Sequence, residues 1–181
     1  MPRIPLISGE TLTPEQRVVY EKIVSGLRGT LVGPLRAALH VPELADRWQH
    51  LGEYVRYKTS LPPVLSELAI LVTAHRWQSA LEWHIHSKSA LQAGVSAEIV
   101  EAIATDRSPA WTDAGQHAVF EFTRELQNTG FVSDVVYQDA YQRLGTQGIV
   151  ELTAIIGYYT MVAFTLNAHE ILMPPEPQEP R

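Results

Sequence analysis

PVLSELAILVTAHRWQSALEWHIHSKSALQAG, residues 63–94, decides the fold. Pro63 suits a first helical position, and the apolar spacing after it predicts one long helix over about 63–92. Gly94 stands where a helix of that length closes. Leu68, Ile70, Leu71, Val72, Ala74, Trp77, Ala80, Leu81, Trp83 and Ile85 make it apolar on most sides, the pattern of a buried helix. Some of its polar residues fall in an ordered stripe. His75, Ser79, Glu82 and His86 are spaced i, i+4, i+7, i+11 and share one side, with Glu67 about two turns upstream at the edge of that sector.

Outward from this stretch, helical periodicity continues in both directions and strand alternation is absent, so the fold class is all-α. Residues 1–12 read as an N-terminal arm, 13–172 as a single helical domain and 173–181, MPPEPQEPR, as a Pro-rich tail. Thr13-Pro14-Glu15-Gln16 carries a capping-box pattern for a helix running to about Leu27. A short helical piece follows at Gly33-Pro34, and Val41-Pro42 starts the next helix, which runs to about Thr59. Beyond Gly94, Ser96 caps a short helix, 104–112 reads as a loop, and helices are expected at about 113–128, 133–144 and 147–170. Residues 66–86 align loosely with 150–170, placing Glu67 on Glu151, a pairing consistent with a degenerate internal duplication.

Composition narrows the function. The 181 residues hold 14 Lys+Arg against 20 Asp+Glu, a net charge of -6, which argues against a nucleic-acid-binding stripe. With no cysteine, thiol nucleophiles, disulfides and thiolate metal sites are excluded. MPRIPLISGE lacks the apolar core of a signal peptide, and Glu67, His75, Glu82 or Glu151 interrupts each apolar run. The expectation is a cytoplasmic protein with no membrane segment.

Glu82 and His86, at i, i+4, form an acid–base pair in which the carboxylate can orient the imidazole and stabilise its charged form. A satisfied core pair would look the same in sequence. His84 and His86 point about 200° apart on a helix and cannot share an ion, and His75 lies roughly 10 Å from Glu82. No metal is therefore expected. Tyr158, Tyr159 and Asn167 on the last helix could line the same space, and Arg36 is a candidate anion-binding group.

Glu67-Leu-Ala-Ile-Leu, then Glu82-Trp83-x-x-His86, then Ala90-x-x-x-Gly94-x-Ser96-x-Glu98-Ile99 resembles the carboxymuconolactone decarboxylase family, which includes the alkylhydroperoxidase D-type antioxidant proteins. GPLRAALHVPELADRWQHLGEYVRY, residues 33–57, is similar to the lead-in of its longer members. The resemblance covers about 30–105 and, more loosely, 113–170. It implies an alkylhydroperoxidase D-like helical bundle assembling as a homotrimer or homohexamer. The positions of the peroxidase branch's CxxC pair match Ser79 and Glu82 here, and its proton-relay positions match Glu67 and His86. Without cysteine the chain cannot run that branch's dithiol cycle. The decarboxylase branch has a Glu and a His matching Glu82 and His86, but its Arg falls on His84 here.

The function expected is a cofactor-free decarboxylase-like lyase on a small carboxylated or lactone metabolite. Glu82, His86 and Glu67 would be its catalytic residues; His75, Ser79, Trp83 and Arg36 would bind substrate. The alternative is a non-catalytic ligand-binding or antioxidant-associated oligomer. No cofactor is required by either. Pairing the long helix with the last one leaves more apolar surface than one chain easily covers, which also favours self-association.

Overall fold

The computed structural model describes residues 1–172. The chain there forms eight helices and no strand: α1 Pro14–Ser25, α2 Gly33–Ala38, α3 Pro42–Tyr57, α4 Pro63–Arg76, α5 Ala80–Ala93, α6 Ala97–Ala104, α7 Ala114–Thr129 and α8 Asp134–Ala168. The Pro-rich tail expected at 173–181 lies outside the described residues. Local chemistry sets most boundaries. Thr13 and Gln16 cap each other reciprocally, Ser96 and Asp113 accept the N–H groups of Ile99 and Gln116, and Gly94 closes α5 in the left-handed region.

The helix expected over 63–92 is corrected by the structure: it breaks at Trp77–Ser79 into α4 and α5, which fold back on one another. Gln78 takes φ 50°, and the N–H groups of Gln78 and Ser79 bond to the carbonyls of His75 and Ala74. That is a helix-ending turn, with glutamine where glycine is usual. Tertiary partners hold it. The Trp77 indole donates to Gln127 at 2.7 Å, its ring meets Phe164 edge-on at 4.6 Å, and Asn167 donates to the Trp77 carbonyl at 2.6 Å.

α4 is the central helix, buried from Leu68 through Ala74 and packed by α5, α6, α7 and α8. α8 also meets α7, α3 and α2. By length and composition α8 could cross a membrane, contrary to the sequence expectation, but 56% of its most apolar window is buried inside the fold. It therefore serves as a core helix here. Gly145, at φ 66° and ψ -178°, kinks it between the two helices the sequence indicates. The arm is docked. Arg3 donates its backbone N–H to the His169 carbonyl and pairs with Glu170, while Ile4, Leu6, Ile7 and Leu12 pack on the core.

Candidate acid–base site

The turn at Gln78 brings together residues that a straight helix would separate. His86 on α5 lies against Glu67 on α4, with its Nδ1 2.7 Å from a Glu67 carboxylate oxygen. Its Nε2 faces Glu82, one turn back on α5, at 3.4 Å. His86 is 1% exposed and Glu82 6%. Both ring nitrogens thus meet carboxylates. Ionised carboxylates only accept hydrogen bonds, so the doubly protonated imidazolium is the form that satisfies both. Burial pulls the His86 value down, but hydrogen bonds and charge from Glu67 and Glu82 outweigh it and leave it raised above the usual imidazole range.

Two residues from other helices complete the cluster. The Tyr159 ring of α8 meets the imidazole edge-on at 5.0 Å. Burial pushes the Tyr159 phenol well up, against the pull of Arg56, and the Glu82 and Glu67 charges add to the rise. It therefore stays protonated. Arg56 on α3 supplies the nearby positive charge. Partial burial works against its protonation, yet Tyr159, Tyr57, Glu67 and Glu82 together hold its value up. The sequence reading missed Arg56. Its only local signal is a cation beside the buried Val55 on a helix with apolar spacing.

Ser79 is 1% exposed and is the N-cap residue of α5. Ser79-Ala80-Leu81-Glu82 has the spacing of a capping box, but Ser79 makes no side-chain cap bond. Its Oγ has no hydrogen-bond partner among the described residues, and Glu82 turns to His86 instead. A buried hydroxyl thus remains free at the start of the helix that carries the acid–base pair.

Three expected site residues lie elsewhere. Arg36 donates to the carbonyls of Ile7 at 3.0 Å and Leu6 at 3.4 Å, pinning the N-terminal arm. His75 and Trp83 stack on one another at 5.6 Å, and Trp83 packs against the smaller apolar cluster around Leu68, Ile99 and Phe120. The shared face assumed for His75, Ser79, Glu82 and His86 dissolves with the break at Gln78. Tyr158 bonds Arg28 at 3.1 Å and meets Trp48 edge-on rather than joining His86. Among the described residues, no group of three or more His, Asp or Glu side chains is arranged to hold a metal ion.

Comparison with known proteins locates the likeness in the helical fold. Residues 42–125 match the carboxymuconolactone decarboxylase family, a span that contains Glu67, Ser79, Glu82 and His86. No curated protein matches the chain. Among solved structures, an uncharacterized peroxidase-related protein from a Silicibacter species superposes with a TM-score of 0.76 at 14% identity, covering 97% of this chain and 93% of its own. A protein of unknown function from Agrobacterium tumefaciens, named for the antioxidant defence protein AhpD, gives 0.68 at 18% identity, covering 77% of this chain and 97% of its own. The debrominase Bmp8 gives 0.70 at 14% identity, covering 90% of this chain and 87% of its own. At these identities the likeness is one of fold.

Proposed function

From the match of residues 42–125 to the carboxymuconolactone decarboxylase family and the likeness to alkylhydroperoxidase D-like folds, we propose a cofactor-free acid–base enzyme acting on a small carboxylated or lactone metabolite. The observation that carries the reading is the buried imidazole held between two carboxylates. A histidine set this way is a stored proton. Glu67 fixes the ring through Nδ1, and the looser contact at Nε2 is the one a substrate can enter.

For an unsaturated lactone acid, the carbon–carbon bond to the carboxylate breaks and CO₂ leaves. Its electron pair moves into the conjugated carbonyl system. The Nε2 proton of His86 then goes to carbon, and solvent restores it by way of Glu82. The Ser79 hydroxyl is free to bond a polar group of the substrate, and Arg56 offsets its negative charge.

The experiment is to assay the purified chain for CO₂ release from a panel of unsaturated lactone acids. His86→Ala and Glu82→Gln should each lower turnover about 10²–10⁴-fold. Turnover unchanged in both variants would sink the role assignment. The near-complete burial of His86 and Glu82 also favours a second reading, a binding protein whose pocket opens for a ligand it never transforms. A compound that raises Tm but survives incubation intact marks that outcome.

We further propose that the chain works as a homotrimer or homohexamer. On α8, Val150, Met161 and Phe164 lie on one exposed stripe flanking Gly157, and Leu44 and Leu51 are exposed on α3. Light scattering should report a multiple of the 20.2 kDa chain mass; a folded monomer at micromolar concentration overturns this.

A further inference from the structure

A partly open cavity in the described chain lies away from His86. It measures about 390 Å³ and opens between the C-terminal turns of α4, the end of α6 and the middle of α7. Its volume is within the usual range for small-molecule sites. At 100° per residue, its α4 residues Val72, His75 and Arg76 lie roughly 80–180° around the helix from Glu67, so it is a separate place from the acid–base cluster. Buried Val72, Ile103 and Phe120 give it an apolar floor. Gln127 stiffens the wall, bonding at once to Trp77, Thr73 and Thr160.

The polar rim has a sign. In a chain of net charge -6, three arginines line this one cavity against one aspartate and one glutamate. Arg124 is neutralised by its bonds to Glu121. The other two are left available. Arg76 rests on the Trp77 ring, 4.7 Å from its centre, and has no carboxylate partner among the described residues. Arg107 is held by its backbone bond to Ala102 and by Nε donating to Thr105 at 2.8 Å, while its Nη2 is 4.0 Å from Glu101. Asp106 precedes it in the left-handed region at φ 54°, in a turn that sets Arg107 on the rim. The Asp106 carboxylate, 88% exposed, lies 3.8 Å from His75 and opposes the two guanidiniums only weakly.

We propose that this cavity binds a small organic anion with a flat apolar body, an aryl-type carboxylate or phosphate. Its head takes the Arg76 and Arg107 guanidiniums, and its body lies on Val72, Ile103 and Phe120. Guanidinium forks match both head groups, and planar rings suit an apolar floor beside Phe120. The inference stands apart from the acid–base reading, because no residue of the Glu67–His86–Glu82 cluster lines the cavity.

Calorimetric titration of the full-length protein, in whatever assembly it adopts, tests this with benzoate, phenyl phosphate and neutral benzamide. At least one anion should bind saturably and benzamide should not; the tighter anion identifies the head group. Arg76→Gln and Arg107→Gln should each weaken binding about tenfold or more, the loss of one charge-assisted contact. Asp106→Asn should tighten it, a gain that misfolding cannot produce. His86→Ala and Glu82→Gln should leave the affinity unchanged. Three results would overturn the proposal: no saturable binding of either anion, equal affinity in the Arg76→Gln/Arg107→Gln double variant, or binding lost in His86→Ala.

Discussion

Glu67 and Glu151 stand 84 positions apart, each followed by leucine and an apolar helical run, and both are sequestered from bulk water. Their surroundings give them opposite work. Glu151 accepts from Tyr54 at 2.7 Å, from Gln147 at 3.1 Å, and from the Ser60 backbone and hydroxyl at 2.8 and 2.6 Å. Burial alone would raise its value, but the Ser60, Gln147 and Tyr54 donors win and take it down to about 2. It is a permanent anion that ties the α3–α4 connection to α8. Glu67 instead shares an imidazole with Glu82, a partner that can itself hold or lose a proton. A buried acid's role is thus set by the donors it meets. Its helix and the leucine beside it do not decide.

That contrast is broken first by substitution. Glu151→Ala strands four donors and should cost about 3 kcal/mol in urea denaturation. Glu82→Gln should cost within about 1 kcal/mol, because the amide keeps one acceptor toward His86. Equal losses would make Glu82 a structural acid like Glu151. Acid titration sharpens the difference. The depressed Glu151 value contributes stability that is present above the ordinary carboxylate value of 4.5 and is lost as pH falls toward about 2. Glu151→Gln should flatten that part of the stability curve.

The second test is the His86 proton. A histidine whose folded value is raised contributes stability below its unfolded value and loses it as pH rises through the folded one. Glu67→Gln removes the strongest of the groups that raise it and leaves burial in control. In the variant, ring ¹⁵N resonances should show His86 deprotonating at lower pH than in the parent. The fall in stability as pH rises above the ordinary imidazole value of 6.5 should shrink with it. An unmoved His86 titration would show that the 2.7 Å contact does not govern the proton.

The sequence makes most helices legible because their ends carry their own chemistry: Thr13 with Gln16, Ser96, Gly94, and the prolines at 14, 42 and 63. It hides the turn at Trp77–Ser79, where no glycine or proline stands and the holding contacts come from Gln127, Phe164 and Asn167. That single turn decides the site. On the straight helix expected from periodicity, Glu67 and His86 would stand about 28 Å apart; folded back, they touch at 2.7 Å. Pairing those two residues came from the family resemblance, since helical spacing alone would have denied it. Arg56 and Tyr159 arrive from α3 and α8, and such long-range packing leaves no periodic trace. His75 shared a face with Ser79, Glu82 and His86 only while the helix was continuous.

The smallest expected effect is at the turn itself. Gln78 holds φ 50°, a conformation that costs a side-chain-bearing residue about 1 kcal/mol or more. Glycine removes that strain but adds freedom to the unfolded chain, which offsets part of the gain. Gln78→Gly should therefore stabilise by about 0.5 kcal/mol, a rise in Tm of roughly 1–2 °C by calorimetry. The kink that precedes Glu151 is already glycine, at φ 66° and ψ -178°, so Gly145→Ala should instead destabilise, by about 2 kcal/mol. The two turns then respond with opposite sign: one precedes Ser79 and Glu82, the other precedes Glu151. A loss of stability in Gln78→Gly would mean that the glutamine side chain, and not only Trp77 and its partners, holds the site's turn in place.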